Sequence, residues 1–335
     1  MKWNSAHARL LQALRFLLFT LVLTASQAHA LDLERDDVQA FINDLATEHE
    51  INAAYIRDVL AGSSLQQSII DAMSRPAERV KPWHEYRAIF LTSERIAAGV
   101  QFFAEHREKL ARIEAETGVP PEMILGIVGV ESYFGRITGK HRVVDALTTL
   151  GFHYPPRATF FRKELAQAFL LENEEQLDLA TLKGSYAGAM GPPQFIPSSY
   201  RAYAVDGNGD GQRDLIGSWD DILASVANYF AVHGWRDGEI VATTGTVAAD
   251  RPDLPLQDRL KLQSTVASLS DAGIFFATDL DGSAAAGVWK LEGADGDEFW
   301  VGFNNLYVIT RYNRSVMYAL AAWQLGQSIV REATL

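Results

Sequence analysis

The sequence predicts a mainly helical α+β protein in which a large helical part precedes a small antiparallel sheet. Between residues 31 and 232, apolar residues recur at helical spacing. From residue 237 to about 303, short β-branched runs such as residues 240–247 and 262–266 alternate with Gly, Pro and Asp turns, which indicates about five short strands. With 335 residues, of which 48% are apolar, the chain can bury a large core and divide into several domains.

Proline-marked breaks and changes in composition suggest domain boundaries. We predict an N-terminal helical domain at residues 31–82, a helical core at 83–238, a β domain at 239–303 and a C-terminal segment at 304–335 that returns to the core. The first boundary follows from the extended stretch between Arg75-Pro76 and Lys81-Pro82. The N-terminal domain carries an amphipathic stripe that indicates packing and no chemistry, made of Val38, Phe41, Ile42 and Leu45.

Residues 1–30 have the pattern of a secretory signal. Lys2, Arg9 and Arg15 precede or flank a short apolar run at 16–25, and Ala28-His29-Ala30 predicts cleavage after Ala30. A membrane anchor or a buried first helix is the alternative, although the run is too short to span a bilayer. We therefore expect an exported protein with no stable membrane anchor.

Charge and cysteine content limit the partners. The chain has no cysteine, so neither a disulfide nor a lipid-modified cysteine is possible. The signal carries three positive charges and no acidic residue, so its removal takes the formal net charge from −12 to −15. Such an acidic protein is not expected to bind nucleic acid.

Glu131 is the candidate catalytic residue. It lies near the end of an apolar helix predicted within residues 118–135, where Pro121 suits the first helical position. Ile124, Ile127 and Val128 share its face, so the carboxyl leaves water on folding, and both burial and the negative end of the helix are expected to raise the pKa of such a carboxyl. A carboxylic acid of this kind can protonate a glycosidic oxygen. A helix-capping or salt-bridging Glu is the alternative.

Three other segments carry candidate binding groups. Tyr86 follows Trp83 in an aromatic stretch that either lines a groove or packs in the core. Arg157 lies in a loop interrupted by Pro155 and Pro156, and loops often carry binding groups. The segment at 182–200 is rich in small residues and prolines and presents Ser185, Tyr186 and Gln194, which favours a binding wall over a purely structural cluster of turns.

An EF-hand-like loop begins at Asp206. Asp206, Asn208 and Asp210 stand at its first, third and fifth positions, Gly211 is sixth, and Gln212 is seventh, where a carbonyl oxygen binds the ion. The twelfth position is Gly217 instead of Glu, so Asp220 or Asp221 would have to close the loop. We predict a structural Ca²⁺ site formed by Asp206, Asn208, Asp210, Gln212 and Asp221; an Asx-rich turn without an ion is the alternative.

Five motifs together resemble the lytic murein transglycosylase B family, glycoside hydrolase family 103. They are G-V-P-P-E-M-I-L-G-I-V-G-V-E-S, G-S-Y-A-G-A-M-G-P-P-Q-F-I-P-S-S-Y, D-G-N-G-D-G, S-V-A-N-Y-F and I-T-R-Y-N-R-S, within a likeness that runs from about residue 83 to residue 327. The resemblance implies a lysozyme-like catalytic core flanked by a helical N-terminal domain and a small β domain. It also implies that the MurNAc-β-1,4-GlcNAc bond of peptidoglycan is cleaved without water, which leaves 1,6-anhydro-MurNAc ends.

The resemblance also implies site residues. Glu131 matches the single catalytic Glu of the family. Residues that match those lining its saccharide groove are Ser185, Gln194, Tyr229, Tyr312, Asn313 and Tyr318, with Tyr86 and Arg157 matched by less distinctive surroundings. Family members often carry two arginines where this chain has Pro156-Arg157, which puts one saccharide or peptide contact in doubt. The lack of cysteine points to a soluble periplasmic form, whose partners would be glycan strands and, by expectation, cell-wall synthases.

No second carboxylate lies in comparable apolar sequence, so we expect a mechanism with one carboxylate instead of the usual two. Glu131 would protonate the departing GlcNAc O4 and then accept the proton of the MurNAc O6 hydroxyl. A hydrolytic muramidase of goose-lysozyme type is one alternative, and an inactive peptidoglycan-binding scaffold is another.

Overall fold

The computed structural model describes residues 29–74, 81–248 and 253–335, and most of these residues are helical. The N-terminal helices are α1 (Asp36–Glu48), α2 (Ala53–Ala61) and α3 (Gln67–Met73). The central helices are α4 (Trp83–Phe90), α5 (Ser93–Thr117), α6 (Pro121–Ser132), α7 (Val143–His153), α8 (Ala158–Glu175), α9 (Pro197–Tyr203) and α10 (Trp219–Val232). Three more helices follow, α11 (Val266–Asp271), α12 (Asn304–Tyr312) and α13 (Val316–Ala333). The mainly helical α+β prediction is confirmed.

The N-terminal helices pack against the central ones. The predicted apolar stripe on α1 is buried, as Val38, Phe41, Ile42 and Leu45 are all at most 8% exposed. Helix α2 begins at Asn52, whose side chain accepts hydrogen bonds from the backbone N–H groups of Ala54 and Tyr55. The prediction of packing in this segment is therefore confirmed.

Helix α6 is central because it is buried on nearly all sides. It follows α5 after a turn at Gly118, which adopts a left-handed φ of 68°, and it has Pro121 at its start. The last helix, α13, crosses α6 closely. A Cβ atom at Gly126 would overlap the carbonyl oxygen of Ala322, and one at Gly326 would overlap the carbonyl oxygen of Glu122. Two glycines thus allow the backbones of α6 and α13 to touch.

The β domain is a five-stranded antiparallel sheet made of β5 (Ala242–Val247), β6 (Ser264–Thr265), β7 (Ile274–Phe275), β8 (Ala285–Glu292) and β9 (Asp297–Gly302). The strand order is β6-β8-β9-β5-β7. In the register of β8 and β9, Trp289 faces Trp300. The predicted number of strands is confirmed, whereas α11, which forms part of a small separate core under the sheet, was not predicted.

The carboxylate of Glu298 links the sheet to the helical core. Oε2 of Glu298 accepts a hydrogen bond from the indole Nε1 of Trp83 at 3.0 Å and another from that of Trp300 at 2.8 Å. The two rings also meet edge to face, with centroids 6.3 Å apart. The start of α4 is therefore fixed against β9.

Short two-residue strands complete the structure. Strand β1 (His29–Ala30) pairs with β2 (Ser64–Leu65), and β3 (His141–Arg142) pairs with β4 (Lys183–Gly184).

The predicted signal lies outside the described residues except for its last two. No helix within the described ranges is both long and apolar enough to cross a membrane.

Candidate active site

Glu131 and Tyr318 form the centre of the site. Glu131 is half-buried in the last turn of α6, and the hydroxyl of Tyr318 donates a hydrogen bond to its Oε1 at 2.5 Å. Tyr318 itself is buried in the first turn of α13, where its backbone N–H is bonded to the side chain of Ser315. The contact of α6 with α13 thus brings the carboxyl and its donor together.

The phenols around Glu131 stay protonated. Burial, followed by the charge of Glu131, raises the pKa of Tyr318 well above its usual value of 10.0. The pKa of Tyr312 is raised in the same way and by the same two causes. Tyr86, whose ring is buried, also raises the pKa of Tyr318. Glu131 therefore lies beside neutral phenols, and the hydroxyl of Tyr318 donates to its carboxyl.

An aromatic cluster builds one wall beside Glu131. The hydroxyl of Tyr312 donates to the carbonyl of Pro193 at 2.6 Å, and that of Tyr229 donates to the carbonyl of Arg311 at 2.6 Å. Their ring centroids lie 4.9 Å apart, and the ring of Phe195 lies within 6 Å of both. Burial raises the pKa of Tyr229 to about 12. These hydroxyls hold α10, α12 and the Pro193 loop together.

The polar residues of the 182–200 segment contact the segment itself. The hydroxyl of Ser185 accepts hydrogen bonds from the N–H groups of Ala187 at 3.2 Å and Ala189 at 3.1 Å. Gln194, with a left-handed φ of 52°, donates from Nε2 to the carbonyl of Gly191 at 2.8 Å and to that of Thr138 at 3.0 Å. The predicted binding residues therefore shape the loop, and these contacts are those of a cluster of turns.

The remaining predicted binding residues lie at different depths. Asn313 is half-buried directly after α12, between Tyr312 and Tyr318 in sequence. Arg157 is exposed, and its guanidinium lies over the ring of Phe160 at 4.3 Å. Asn313 thus lies within the segment that carries Tyr312 and Tyr318, whereas no described contact joins Arg157 to that segment.

The ring of Tyr133 contacts two arginines, an arrangement that no sequence pattern predicted. Tyr133 follows Glu131 by two residues with a left-handed φ of 52°, and the guanidinium groups of Arg95 and Arg136 lie 4.8 and 4.9 Å from its ring centroid. Burial lowers the pKa of Arg95, whose Nε and Nη1 are buried without a hydrogen-bond partner among the described residues. Helix α5 looks like an ordinary charged helix in sequence, so no local signal distinguished Arg95.

Other buried carboxylates in the described ranges are held by structural contacts. Asp145 pairs with Arg142 at 2.7 Å, and Glu164 accepts from the N–H of Ser198 at 2.9 Å and from its hydroxyl at 2.8 Å. Burial raises the pKa of Glu164. Each of these acids is held by contacts that join segments of the fold.

The EF-hand-like loop is folded around Asp206. Its two carboxylate oxygens accept hydrogen bonds from the N–H groups of Gly209 at 2.6 Å and Gly211 at 2.7 Å, and Gly211 has a left-handed φ of 89°. The backbone hydrogen bond from Gly211, aided by others, lowers the pKa of Asp206. The sharp turn predicted at the sixth position is therefore present.

Asp221, and not Asp220, reaches into this loop. Asp221 is fully buried and accepts hydrogen bonds from the N–H groups of Gly207 at 2.9 Å and Asp214 at 2.7 Å. Asp220 instead forms an ion pair with Lys109 of α5 at 2.5 Å. Within the described ranges, no three acidic, His or Cys side chains are grouped as a metal site. The oxygens of this loop are nevertheless the type of ligand that calcium binds.

Comparison with known proteins identifies the family. The model of the transglycosylase SLT domain matches residues 34–327. The chain is 40% identical to membrane-bound lytic murein transglycosylase B of Escherichia coli K12 over 304 residues. This alignment covers 88% of this chain and 82% of the E. coli protein.

Solved structures agree. Soluble lytic transglycosylase SltB1 of Pseudomonas aeruginosa superposes with a TM-score of 0.84 at 45% identity, over 89% of this chain and 100% of that one. Escherichia coli Slt35 in complex with calcium superposes with a TM-score of 0.83 at 37% identity, over 93% of this chain and 99% of that one. Pseudomonas aeruginosa SltB3 in complex with NAG-NAM-pentapeptide superposes with a TM-score of 0.75 at 27% identity, over 87% of this chain and 78% of that one. The chain belongs to the SLT transglycosylase family and is a peptidoglycan lytic transglycosylase with a lysozyme-like core.

Proposed function

We propose that Glu131 acts first as the acid and then as the base of the lytic reaction. Its proton passes to the GlcNAc O4 as the bond between that oxygen and C1 of MurNAc breaks. The MurNAc O6 hydroxyl then bonds to C1, directly or after assistance by the N-acetyl group, and Glu131 takes its proton. The products are a GlcNAc end and a 1,6-anhydro-MurNAc end, and no water is consumed.

The hydrogen bond from Tyr318 to Glu131, at 2.5 Å, is the observation that carries this proposal. It fixes the orientation of the carboxyl group. It also strengthens when Glu131 becomes an anion, because a hydrogen bond to a charged acceptor is stronger than one to a neutral acceptor. The raised pKa of Tyr318 keeps its hydroxyl protonated, so the donor is available in both steps.

The residues around Glu131 would bind the glycan strand. The rings of Tyr229 and Tyr312 and the loop shaped by Ser185 and Gln194 would enclose neighbouring sugars, and Asn313 would position the N-acetyl group or O6. Neutral hydrogen-bonding and aromatic groups suit a sugar polymer. The relative SltB3 has been crystallised with NAG-NAM-pentapeptide, which supports a glycan strand as the ligand.

Product analysis of digested murein tests the acid. Glu131→Gln should lower the rate at which anhydro-muropeptides are released by roughly 10²- to 10⁴-fold with an unchanged melting temperature, because the amide can neither donate nor accept the required proton. Products heavier by one water, with reducing MurNAc ends, would point to a muramidase. A fully active Glu131→Gln protein would show that the carboxyl is not the acid.

We also propose a structural calcium ion in the loop at 206–221. The side-chain oxygens of Asp206, Asn208, Asp210 and Asp221 and the carbonyl of Gln212 would bind it, and the calcium complex of Slt35 supports this choice of ion. A chelator should lower the melting temperature of the native protein, and Asp210→Ala should remove this sensitivity. Identical melting curves with and without chelator would exclude the ion.

An exported, periplasmic location agrees with a substrate that lies outside the cytoplasm. The mature protein should begin at Leu31, which N-terminal sequencing of the exported form would check. An association with cell-wall synthases stays a prediction.

A further inference from the structure

A basic pocket lies between the β domain and the helical core. Arg259 and Lys261 approach it from the loop before β6, and Arg311 and Arg314 approach it from the end of α12. The pocket has a volume of about 510 Å³, and Asp258 is the acidic residue in its lining. Four basic side chains around one cavity are unexpected on a chain whose net charge is −12.

The loop that carries Arg259 and Lys261 is held in place by the side-chain amide of Gln257. The amide Nε2 of Gln257, only 9% exposed, donates to the carbonyls of Arg259 at 3.1 Å and Lys261 at 3.0 Å. Its Oε1 accepts from the N–H of Gln263 at 3.0 Å. Gly287 of β8 leaves room for this amide, because a Cβ atom there would overlap Oε1. The loop is thus ordered before any ligand arrives, which lowers the entropic cost of binding.

The positive charges of the pocket are largely uncompensated. Among the described residues, Lys261, Arg311 and Arg314 form no salt bridge. Arg259 lies 4.0 Å from Asp258, and both of these side chains are more than three-quarters exposed. An ion pair so exposed contributes little, so both side chains can be rearranged by a ligand.

The pocket adjoins the wall of the proposed saccharide groove. The carbonyl of Arg311 accepts the hydrogen bond of the Tyr229 hydroxyl, and the next residue is Tyr312 of the same aromatic cluster. Arg314 precedes Ser315, the cap of the helix that carries Tyr318. A sugar polymer in that groove would bring its substituents close to these cations.

We propose that this basic pocket binds carboxylates of the peptide attached to the glycan strand. Free carboxylates are the anionic groups of that peptide, and guanidinium groups bind carboxylates through paired hydrogen bonds. The proposal rests on peptidoglycan being the substrate and goes beyond the sugar contacts of the groove. It assigns a peptide-recognition role to residues of the β domain.

Binding calorimetry on the Glu131→Gln protein tests this without turnover. The probes are NAG-NAM-pentapeptide, the NAG-NAM disaccharide, and the pentapeptide form with its peptide carboxylates converted to amides. The first should bind roughly three- to thirtyfold more tightly than the other two, as expected for two exposed ion pairs. Arg259→Gln/Lys261→Gln should bring this ratio close to one.

A matched variant controls for overall charge. Arg107→Gln/Arg331→Gln removes two exposed positive charges outside the pocket and should preserve the ratio. An equal loss in this control, an unchanged ratio in the pocket variant, or equal affinities for all three probes would overturn the proposal. These outcomes are independent of the acid assignment, which product analysis with Glu131→Gln tests separately.

Discussion

Tyr318→Phe removes one oxygen atom and with it the hydrogen bond to Oε1 of Glu131 at 2.5 Å. A hydrogen bond to a charged group contributes about 1.5–3 kcal/mol, so kcat should fall by roughly 10- to 150-fold if the bond acts mainly on the anionic form of Glu131. KM should change little, because the Tyr318 side chain is only 2% exposed and the sugar has little access to it. The assay is the initial rate at which anhydro-muropeptides are released from purified murein.

Tyr200→Phe is the matched control for this experiment. Tyr200 is also a fully buried phenol, but its hydroxyl donates to the carbonyl of Arg213 and accepts from the N–H of Leu215 at 2.9 Å. Its loss should lower the free energy of unfolding by about 1–3 kcal/mol and leave kcat unchanged. If folded Tyr318→Phe protein keeps the native kcat, the donor role of Tyr318 is wrong.

Two further predictions concern the stability of the helical core. Gly326→Ala should lower the free energy of unfolding by about 1–3 kcal/mol or more and also reduce kcat, because the added Cβ meets the carbonyl of Glu122 and pushes α13, with Tyr318, away from α6. Gly62→Ala is the control. Its added Cβ makes only ordinary contacts, so chemical denaturation should show a free energy of unfolding within about 1 kcal/mol of the native value. Comparable losses in both glycine variants would contradict the close crossing of these helices. The pKa of Tyr229 is about 12 in the folded state, so above pH 10 the unfolded state loses this proton while the folded state retains it. The free energy of unfolding should therefore fall by about 1.4 kcal/mol per pH unit, and Tyr229→Phe should remove that part of the slope. Parallel pH curves for the two proteins would refute the contribution of Tyr229.

The sequence predicted those features that local spacing determines. The position of Glu131 on the buried helix follows from a period of 3.6 residues, and the turn at Gly211 follows from the spacing of oxygen donors. The hydrogen bond between Glu131 and Tyr318 joins residues 187 positions apart, so no local pattern can reveal it. Tyr318 entered the prediction only through the family resemblance.

The roles of the polar loop residues were also beyond local patterns. The contact of Ser185 and Gln194 with a ligand stays a prediction, whereas their described hydrogen bonds to backbone groups of nearby turns were not predicted. A segment with many tight turns leaves backbone N–H and C=O groups without regular partners, and side chains nearby satisfy them. Arg95 was missed for a related reason, because its contact with Tyr133 depends on how two helices meet.

The hydrogen bonds at Glu298 bear on where along the glycan strand the enzyme would cut. Because Glu298 and Trp300 lie on the same strand, only the bond from Trp83 crosses from the helical core to the sheet, and a rotation of the sheet against α4 would have to break that bond. This bond and the edge-to-face contact of Trp83 with Trp300 restrict movement of the sheet, and with it of Arg259 and Lys261, relative to the helices that carry Glu131. A glycan strand would then be cut at a fixed distance from the peptide bound in the pocket. Shortening the side chain of Trp83 or Glu298 should make the cleavage position less uniform.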